Sequence, residues 1–274
     1  MFKNPRAVIV RKKKWENYVL LTLKSPRVAG RSRPGQFLMI RVSDRPCPLL
    51  RRPLSIHGRS SEVVEVFFTP VGVGTSLLAE KRPQETLDIL GPLGRGFAVP
   101  RSLKRKIVWV VGGGRGIAPL YFLAQELLTK GAEIEIFYGA KTRADLPLLG
   151  RFAKLGARIY ASTDDGSFGF RGLVSSMFEK ELARRLSLPG PSRTKPTRIY
   201  ACGPDAMLKK IAELARRQKI PAQVSLESFM GCGIGACWSC VRKIGRGTGA
   251  EWVKVCEDGP VFPASEVIWE EDER

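Results

Sequence analysis

Near Pro100 the chain changes rhythm, and no single sheet accommodates both halves. Before it, short apolar runs ("AVIVRK", "YVLLTLK", "QFLMIRV", "VVEVFF", "ETLDIL") are separated by Ser-Pro, Arg-Pro-Gly and Gly-Pro punctuation. Strands broken by such turn residues predict a small antiparallel barrel over residues 1–102. After it, "KIVWVV" (106–111), "EIEIFYGA" (133–140), "ARIYAS" (157–162), "TRIYAC" (197–202) and "AQVSL" (222–226) alternate with helical stretches. One helix is expected from about Ile117, one within 172–186, and one from Pro204 with Met207, Leu208, Ile211, Leu214 and Ala215 on one face. That alternation predicts a doubly wound parallel sheet over 103–225. The Pro- and Arg-rich stretch 187–196 reads as a surface loop. The remaining unit, 226–274, is too small for much core and is expected to be held by its cysteines. The fold class is multidomain β plus α/β.

That last unit carries "GCGIGACWSC". Cys232, Cys237, Cys240 and Cys256 stand in the spacing C-x4-C-x2-C-x15-C, which is the pattern of four thiolates on a [2Fe-2S] cluster. Gly231, Gly233, Gly235 and Ala236 strip the bulk from between them, so that backbone N–H groups can come close to electron-rich sulfurs. Structural zinc takes paired short knuckles, and disulfides are disfavoured in a reducing cytosol. The cluster is therefore the leading reading. Cys47 and Cys202 stand apart and read as small hydrophobes or incidental thiols.

Lys and Arg number 46 against 26 Asp and Glu, a net charge of +20. Such an excess raises nucleic acid, anionic membrane and phosphate-bearing ligands as partners. Its densest run, Arg11 to Lys14, has no accompanying motif of stacking aromatics, so a solvated face and no nucleic acid are expected. No apolar run approaches the roughly 20 residues of a membrane helix, and the first residues lack a signal's apolar core. The expectation is a cytoplasmic protein with no membrane span.

Three segments have phosphate-binding character. In "RRPLSIHG" (51–58), placed between barrel strands, Arg52 can meet a pyrophosphate and Ser55 a flavin ring nitrogen, while Pro53 keeps the segment extended. An edge strand with a salt-bridging Arg would look the same. In "FFTPVGVGTSLLAE" (67–80), Gly72 to Thr75 lead into a short helix whose free N–H groups suit a phosphate, as would any capped helix. "VVGGGRGIAPL" (110–120) joins an apolar strand to a helix, where a dinucleotide pyrophosphate would sit. It departs from G-x-G-x-x-G, since Ile117 takes the third glycine position and no acidic residue closes "FYGA".

Together "RRPLSI", "GVGT", "GGGRGIAPL", "TDDGSFG", "ACGP" and the four cysteines resemble the ferredoxin reductase superfamily over essentially the whole chain. More narrowly, "VSLESFMGCGIGACWSCV" with "VCEDGPVF" resembles the electron transfer subunits of NAD-dependent dihydroorotate dehydrogenase. The related small subunits of NADH-dependent ferredoxin:NADP oxidoreductases carry aspartate where this chain has Cys232. The resemblance implies FAD at Arg52, Pro53, Leu54, Ser55, Phe67, Phe68, Thr69, Gly74 and Thr75. It implies a pyridine nucleotide over Gly112, Gly113, Gly114 and Gly116 and near Cys202, Gly203 and Pro204, and a cluster on Cys232, Cys237, Cys240 and Cys256. Asp164 and Asp165, beside the adenosine end, would repel a 2′-phosphate and favour NAD. Arg115 puts a charge inside the glycine turn, and His57 directly follows the flavin motif and is expected beside the FAD. The implied activity is electron transfer in pyrimidine biosynthesis, with an FMN-containing catalytic subunit as partner in a heterotetramer of two of each. With no proton-transfer residue in evidence, no catalytic residue is assigned to this chain. Two other readings stay open: a related diaphorase subunit feeding ferredoxin, sulfide or sulfite chemistry, and a zinc-stabilised basic nucleic-acid-binding protein.

Overall fold

The computed structural model of the chain describes residues 6–188, 195–246 and 249–269. Six strands come first: β1 (Arg6–Lys14), β2 (Val19–Lys24), β3 (Phe37–Arg41), β4 (Arg52–Arg59), β5 (Val63–Phe68) and β6 (Thr86–Leu93). They close an antiparallel barrel in the order β1-β2-β5-β4-β3-β6. Alternation drives the closure, because every second side chain, among them Ile9, Leu21, Leu38, Ile56, Val64 and Ile89, enters one apolar cluster. The segment "RRPLSIHG", expected between the barrel strands and held extended by Pro53, is itself one of those strands. It pairs Ile40 with Arg52 and Phe37 with Ser55 on one side, and Ile56 with Val66 on the other. Leu54 and Ile56 supply its inward period-two face. The short helix α1 (Pro26–Ala29) follows β2, and α2 (Val73–Glu80) follows β5.

A second sheet begins with β7 (Ile107–Gly113), followed by α3 (Leu120–Thr129), β8 (Glu133–Ala140), α4 (Leu149–Ala153), β9 (Arg158–Thr163) and β10 (Phe170–Arg171). Then come α5 (Val174–Ser187), β11 (Arg198–Cys202), α6 (Asp205–Arg217) and β12 (Ala222–Ser225). These strands are parallel in the order β10-β9-β8-β7-β11-β12, so the winding reverses beside β7. Ligand crevices open outside the carboxyl ends of strands at such a switch point. The helix expected from Ile117 starts three residues later, since Gly114–Ile117 form a tight 3-10 turn entered through Gly114 at φ +52°. Most of the loop expected over 187–196 lies outside the described residues.

The last segment forms a hairpin, β13 (Val241–Arg246) and β14 (Gly249–Lys254), then α7 (Val255–Asp258) and β15 (Val261–Pro263). β15 pairs antiparallel with β12 as the seventh strand of the sheet. Cys240, Ile244, Val253 and Cys256 share one apolar cluster with Trp109, Phe178 and Leu208. The segment therefore completes its core with that of the parallel sheet, and its stability does not rest on its cysteines alone.

Barrel and sheet meet along a seam built by His57. This side chain is fully buried, its Nδ1–H donates to the Ala118 carbonyl at 2.7 Å, and its ring stacks on Tyr121 with centroids 4.8 Å apart. Arg151 lies over the same Tyr121 ring, 4.3 Å from its centroid, and donates to Glu65 at 2.6 Å. Tyr18 crosses the seam as well, its hydroxyl donating to Asp145 at 3.1 Å. Among the described residues no helix is long and apolar enough to cross a membrane.

Candidate functional site

A cavity of about 360 Å³ lies where the outer face of the barrel meets the start of α3 and the chain after β12. Pro53, Leu54, Ser55, Phe67, Phe68, Thr69 and Thr75 line it, because the start of β4 lies beside the end of β5 there. Arg52 and Gly74 stand just outside. The Arg52 guanidinium occupies the space a Cβ on Gly74 would need, so glycine lets a cation rest on the first turn of α2. Two backbone N–H groups of that turn, of Val71 and Gly72, already donate to Thr75 Oγ1 at 2.9 and 3.3 Å. His57, expected beside a flavin, faces the seam and is absent from this lining. The reason is strand length: His57 is two residues beyond Ser55 on the same face, where Tyr121 and Ala118 close over it.

A larger cavity of about 680 Å³ opens at the switch point. Gly113, Gly114, Arg115 and Gly116 contribute the strand-to-helix turn, and Pro204 the start of α6. Gly112 is buried behind the turn against Ile117. Cys202 opens on the smaller cavity, and Gly203 lines neither but backs Gly113. Asp164 lines the larger cavity, whereas the Asp165 carboxylate turns to the N–H and Oγ of Ser167 at 2.9 and 2.6 Å. The two cavities share three residues: Thr69, Arg115 and Glu227. Burial raises the Glu227 carboxyl above its ordinary range, against a downward pull from Arg115. Burial likewise raises the Cys202 thiol. Glu227 was not expected from the sequence; the signal available was an acidic residue just past the end of "AQVSL", on the same crevice as the glycine turn.

The four spaced thiols come together in pairs. The Cys232 N–H donates to Cys237 Sγ and the Cys237 N–H to Cys232 Sγ, each at 3.4 Å, while the Cys256 N–H donates to Cys240 Sγ at 3.4 Å. Ile234 and Gly235 add N–H donors to Cys232 and Cys256 at 3.4 and 3.2 Å. Hydrogen bonds from Ser239, first its hydroxyl, hold the Cys237 thiol down at about 6, and burial pushes Cys256 up to about 12. Among the described residues no group of three or more His, Cys, Asp or Glu closes on a single ion. Two thiol pairs inside a cradle of N–H donors fit a two-iron, four-thiolate cluster better than one tetrahedral zinc. Around this loop Phe229, Ile234 and Trp238 are exposed, Trp238 by 57%. Trp238 is therefore not packed inside the small unit; Lys254 Nζ lies 5.0 Å from its ring.

Comparison with known proteins agrees with this arrangement. Residues 227–268 match the iron-sulfur cluster binding domain of dihydroorotate dehydrogenase B, and residues 110–213 an oxidoreductase NAD-binding domain. The chain is 38% identical over 256 residues to the electron transfer subunit of dihydroorotate dehydrogenase B (NAD(+)) from Desulforamulus reducens, covering 93% of this chain and 94% of that relative. It is 41% identical over 251 residues to the same subunit from Enterococcus faecalis V583, covering 90% and 91%. Among solved structures, an NADH-dependent reduced ferredoxin-NADP oxidoreductase superposes with a TM-score of 0.81 at 29% identity, covering 98% of this chain and 92% of that one. A ferredoxin NADP+ reductase from Neisseria gonorrhoeae with bound FAD and NADP shares the fold at a TM-score of 0.65 and 18% identity, covering 79% and 92%.

Proposed function

The chain belongs to the family of electron transfer subunits of NAD(+)-dependent dihydroorotate dehydrogenase B, and from that premise we propose how its residues divide the work. It is an oxidoreductase subunit that passes electrons between NAD and a catalytic subunit in pyrimidine biosynthesis, using FAD and an iron-sulfur cluster. The chain divides into an FAD-binding barrel (1–102), an NAD-binding unit (103–225) and a cluster unit (226–274). A bound FAD would supply the exchange between one hydride, which carries two electrons, and two single electrons, and a bound cluster would supply the one-electron path onward.

In this reading the smaller cavity receives the flavin ring. Ser55 lies within it to meet a ring nitrogen, and Pro53, Leu54, Phe67, Phe68 and Thr69 shape its walls. Arg52, resting on Gly74, meets the pyrophosphate at the first turn of α2, beside Thr75. The larger cavity takes the nicotinamide nucleotide over Gly113, Gly114 and Gly116, with Gly112, Cys202, Gly203 and Pro204 fixing the turn. Asp164 disfavours a 2′-phosphate there. Cys232, Cys237, Cys240 and Cys256 would hold the cluster, with Cys232 beside Cys237 and Cys240 beside Cys256.

The single observation carrying this reading is the wall shared by the two cavities, which lets a nicotinamide reach a flavin ring. Oxidising dihydroorotate also requires a base to take a proton. The one histidine, His57, is sealed in the seam, so that chemistry belongs to the partner, an FMN-containing subunit in a heterotetramer of two of each. The exposed Phe229, Ile234 and Trp238 give the cluster loop an apolar contact face for it.

The test uses the chain purified anaerobically, with FAD, iron and acid-labile sulfide measured. It should reduce an artificial dye with NADH, and show dihydroorotate-dependent dye reduction only after the FMN subunit is added. Dihydroorotate turnover by the chain free of FMN protein would overturn the division of labour.

A further inference from the structure

Ser239 stands just before Cys240, and the spacing of the four cysteines gives it no part. Its hydroxyl oxygen nevertheless lies 3.2 Å from Cys237 Sγ, and the Gly231 N–H donates to that same oxygen at 2.9 Å. Gly231 permits the approach, because a Cβ there would crowd both Cys237 Sγ and Ser239 Oγ, at 3.1 and 3.3 Å.

A hydroxyl has one proton to give and two lone pairs to receive with. Gly231 fills a lone pair, and a Cys237 thiolate bound to iron has no proton of its own to offer. The Ser239 proton is thus left for the sulfur. The backbone donors on these sulfurs are the N–H groups of Cys232, Ile234, Gly235, Cys237 and Cys256, and they come with the loop whatever its side chains. Among the described residues Ser239 supplies the one side-chain hydrogen bond to the four from outside the cysteines themselves. It is the donor that a substitution can remove without redrawing the loop.

Hydrogen bonds to the sulfurs are among the quantities that set the potential of an iron-sulfur cluster. Reduction adds one electron and no proton, so the sulfurs become more negative. A donor bonds more strongly to a more negative acceptor, and therefore favours the reduced state.

Resting on the reading of Cys232, Cys237, Cys240 and Cys256 as cluster ligands, we propose that Ser239 is a positioning residue that acts through Cys237: its hydroxyl raises the reduction potential of the bound cluster and makes it a readier acceptor of single electrons.

The experiment is an anaerobic redox titration of the FAD- and cluster-loaded chain, with the reduced cluster followed by electron paramagnetic resonance and the flavin by absorbance. Ser239→Ala should make the one-electron reduction of the cluster about tenfold less favourable, a fall of about 59 mV in its midpoint. Ser239→Thr, which keeps the hydroxyl, should stay close to wild type. The FAD midpoint should be the same in all these proteins, because Ser239 does not line the flavin cavity. Ser239 and Cys237 are exposed, so water is on hand to replace a lost donor. A cluster midpoint unchanged in Ser239→Ala, or lowered equally in Ser239→Thr, would overturn the proposal. A joint shift of the cluster and FAD midpoints would overturn it as well, since it reports a general change of structure. So would loss of iron and acid-labile sulfide from Ser239→Ala, which would make the hydroxyl a support of the loop. Wild type without acid-labile sulfide would remove the reading of the four thiols, and the proposal with it.

Discussion

His57 shows how one side chain can carry a pH dependence unrelated to electron transfer. Burial, and then the nearby Arg151 guanidinium, lower its pKa from 6.5 to about 3, so the folded chain keeps it neutral at pH 7. The unfolded chain takes up that proton near 6.5. Between those values the unfolded state binds more protons, and this contribution to stability is full above about 6.5 and lost as pH falls towards 3. A series of urea midpoints from pH 7 to pH 4.5 should therefore decline in wild type. In His57→Gln the decline should be flatter by up to about one proton's worth of slope, whatever the absolute stability of the variant. Equal slopes would place the titration elsewhere. Nothing in the sequence foreshadows this role, since His57 directly follows the Arg52–Ser55 motif and its partners Tyr121 and Arg151 come from a different unit.

At the scale of elements, the cluster loop depends on backbone that residues other than glycine rarely adopt. Gly235 has φ +82° and donates its N–H to Cys256 Sγ at 3.2 Å, and a Cβ on it would collide with the Glu257 carboxylate. Glu257 is itself held by Lys254 at 2.5 Å. Gly235→Ala adds about 1–2 kcal/mol of left-handed strain to that collision. Iron and acid-labile sulfide should fall well below wild type while FAD stays stoichiometric, because the flavin cavity shares no wall with this loop turn. Full iron content in the variant would show that the loop tolerates a Cβ. The glycine spacing was legible in the sequence for the physical reason that made it necessary. So were β5, β8 and β11, whose apolar runs have clear ends. β4 was harder to read, because Pro53 and paired arginines resemble a break while the alternation of Leu54 and Ile56 spans only a few residues.

For the whole molecule, the relation of barrel to sheet rests on few polar contacts, and none was visible in the sequence because each joins residues far apart in the chain. Arg151 and Glu65 are the clearest case, a close pair with both side chains mostly covered. Glu65→Gln leaves the guanidinium over Tyr121 without its counter-charge. This should cost about 1 kcal/mol and lower the thermal midpoint by about 2–4 °C, with flavin and cluster absorption unchanged. An unaltered midpoint would assign the hold on the seam to the stacked rings instead. The addition of β15 to β12 has a consequence for the order in which the molecule can be made. During synthesis the barrel can close once Leu93 has left the ribosome. The sheet edge at β12 stays open until Pro263 has emerged, so a nascent chain stalled between the two presents an unpaired strand, and full burial of the last cluster thiol, Cys256, waits for β15 to arrive.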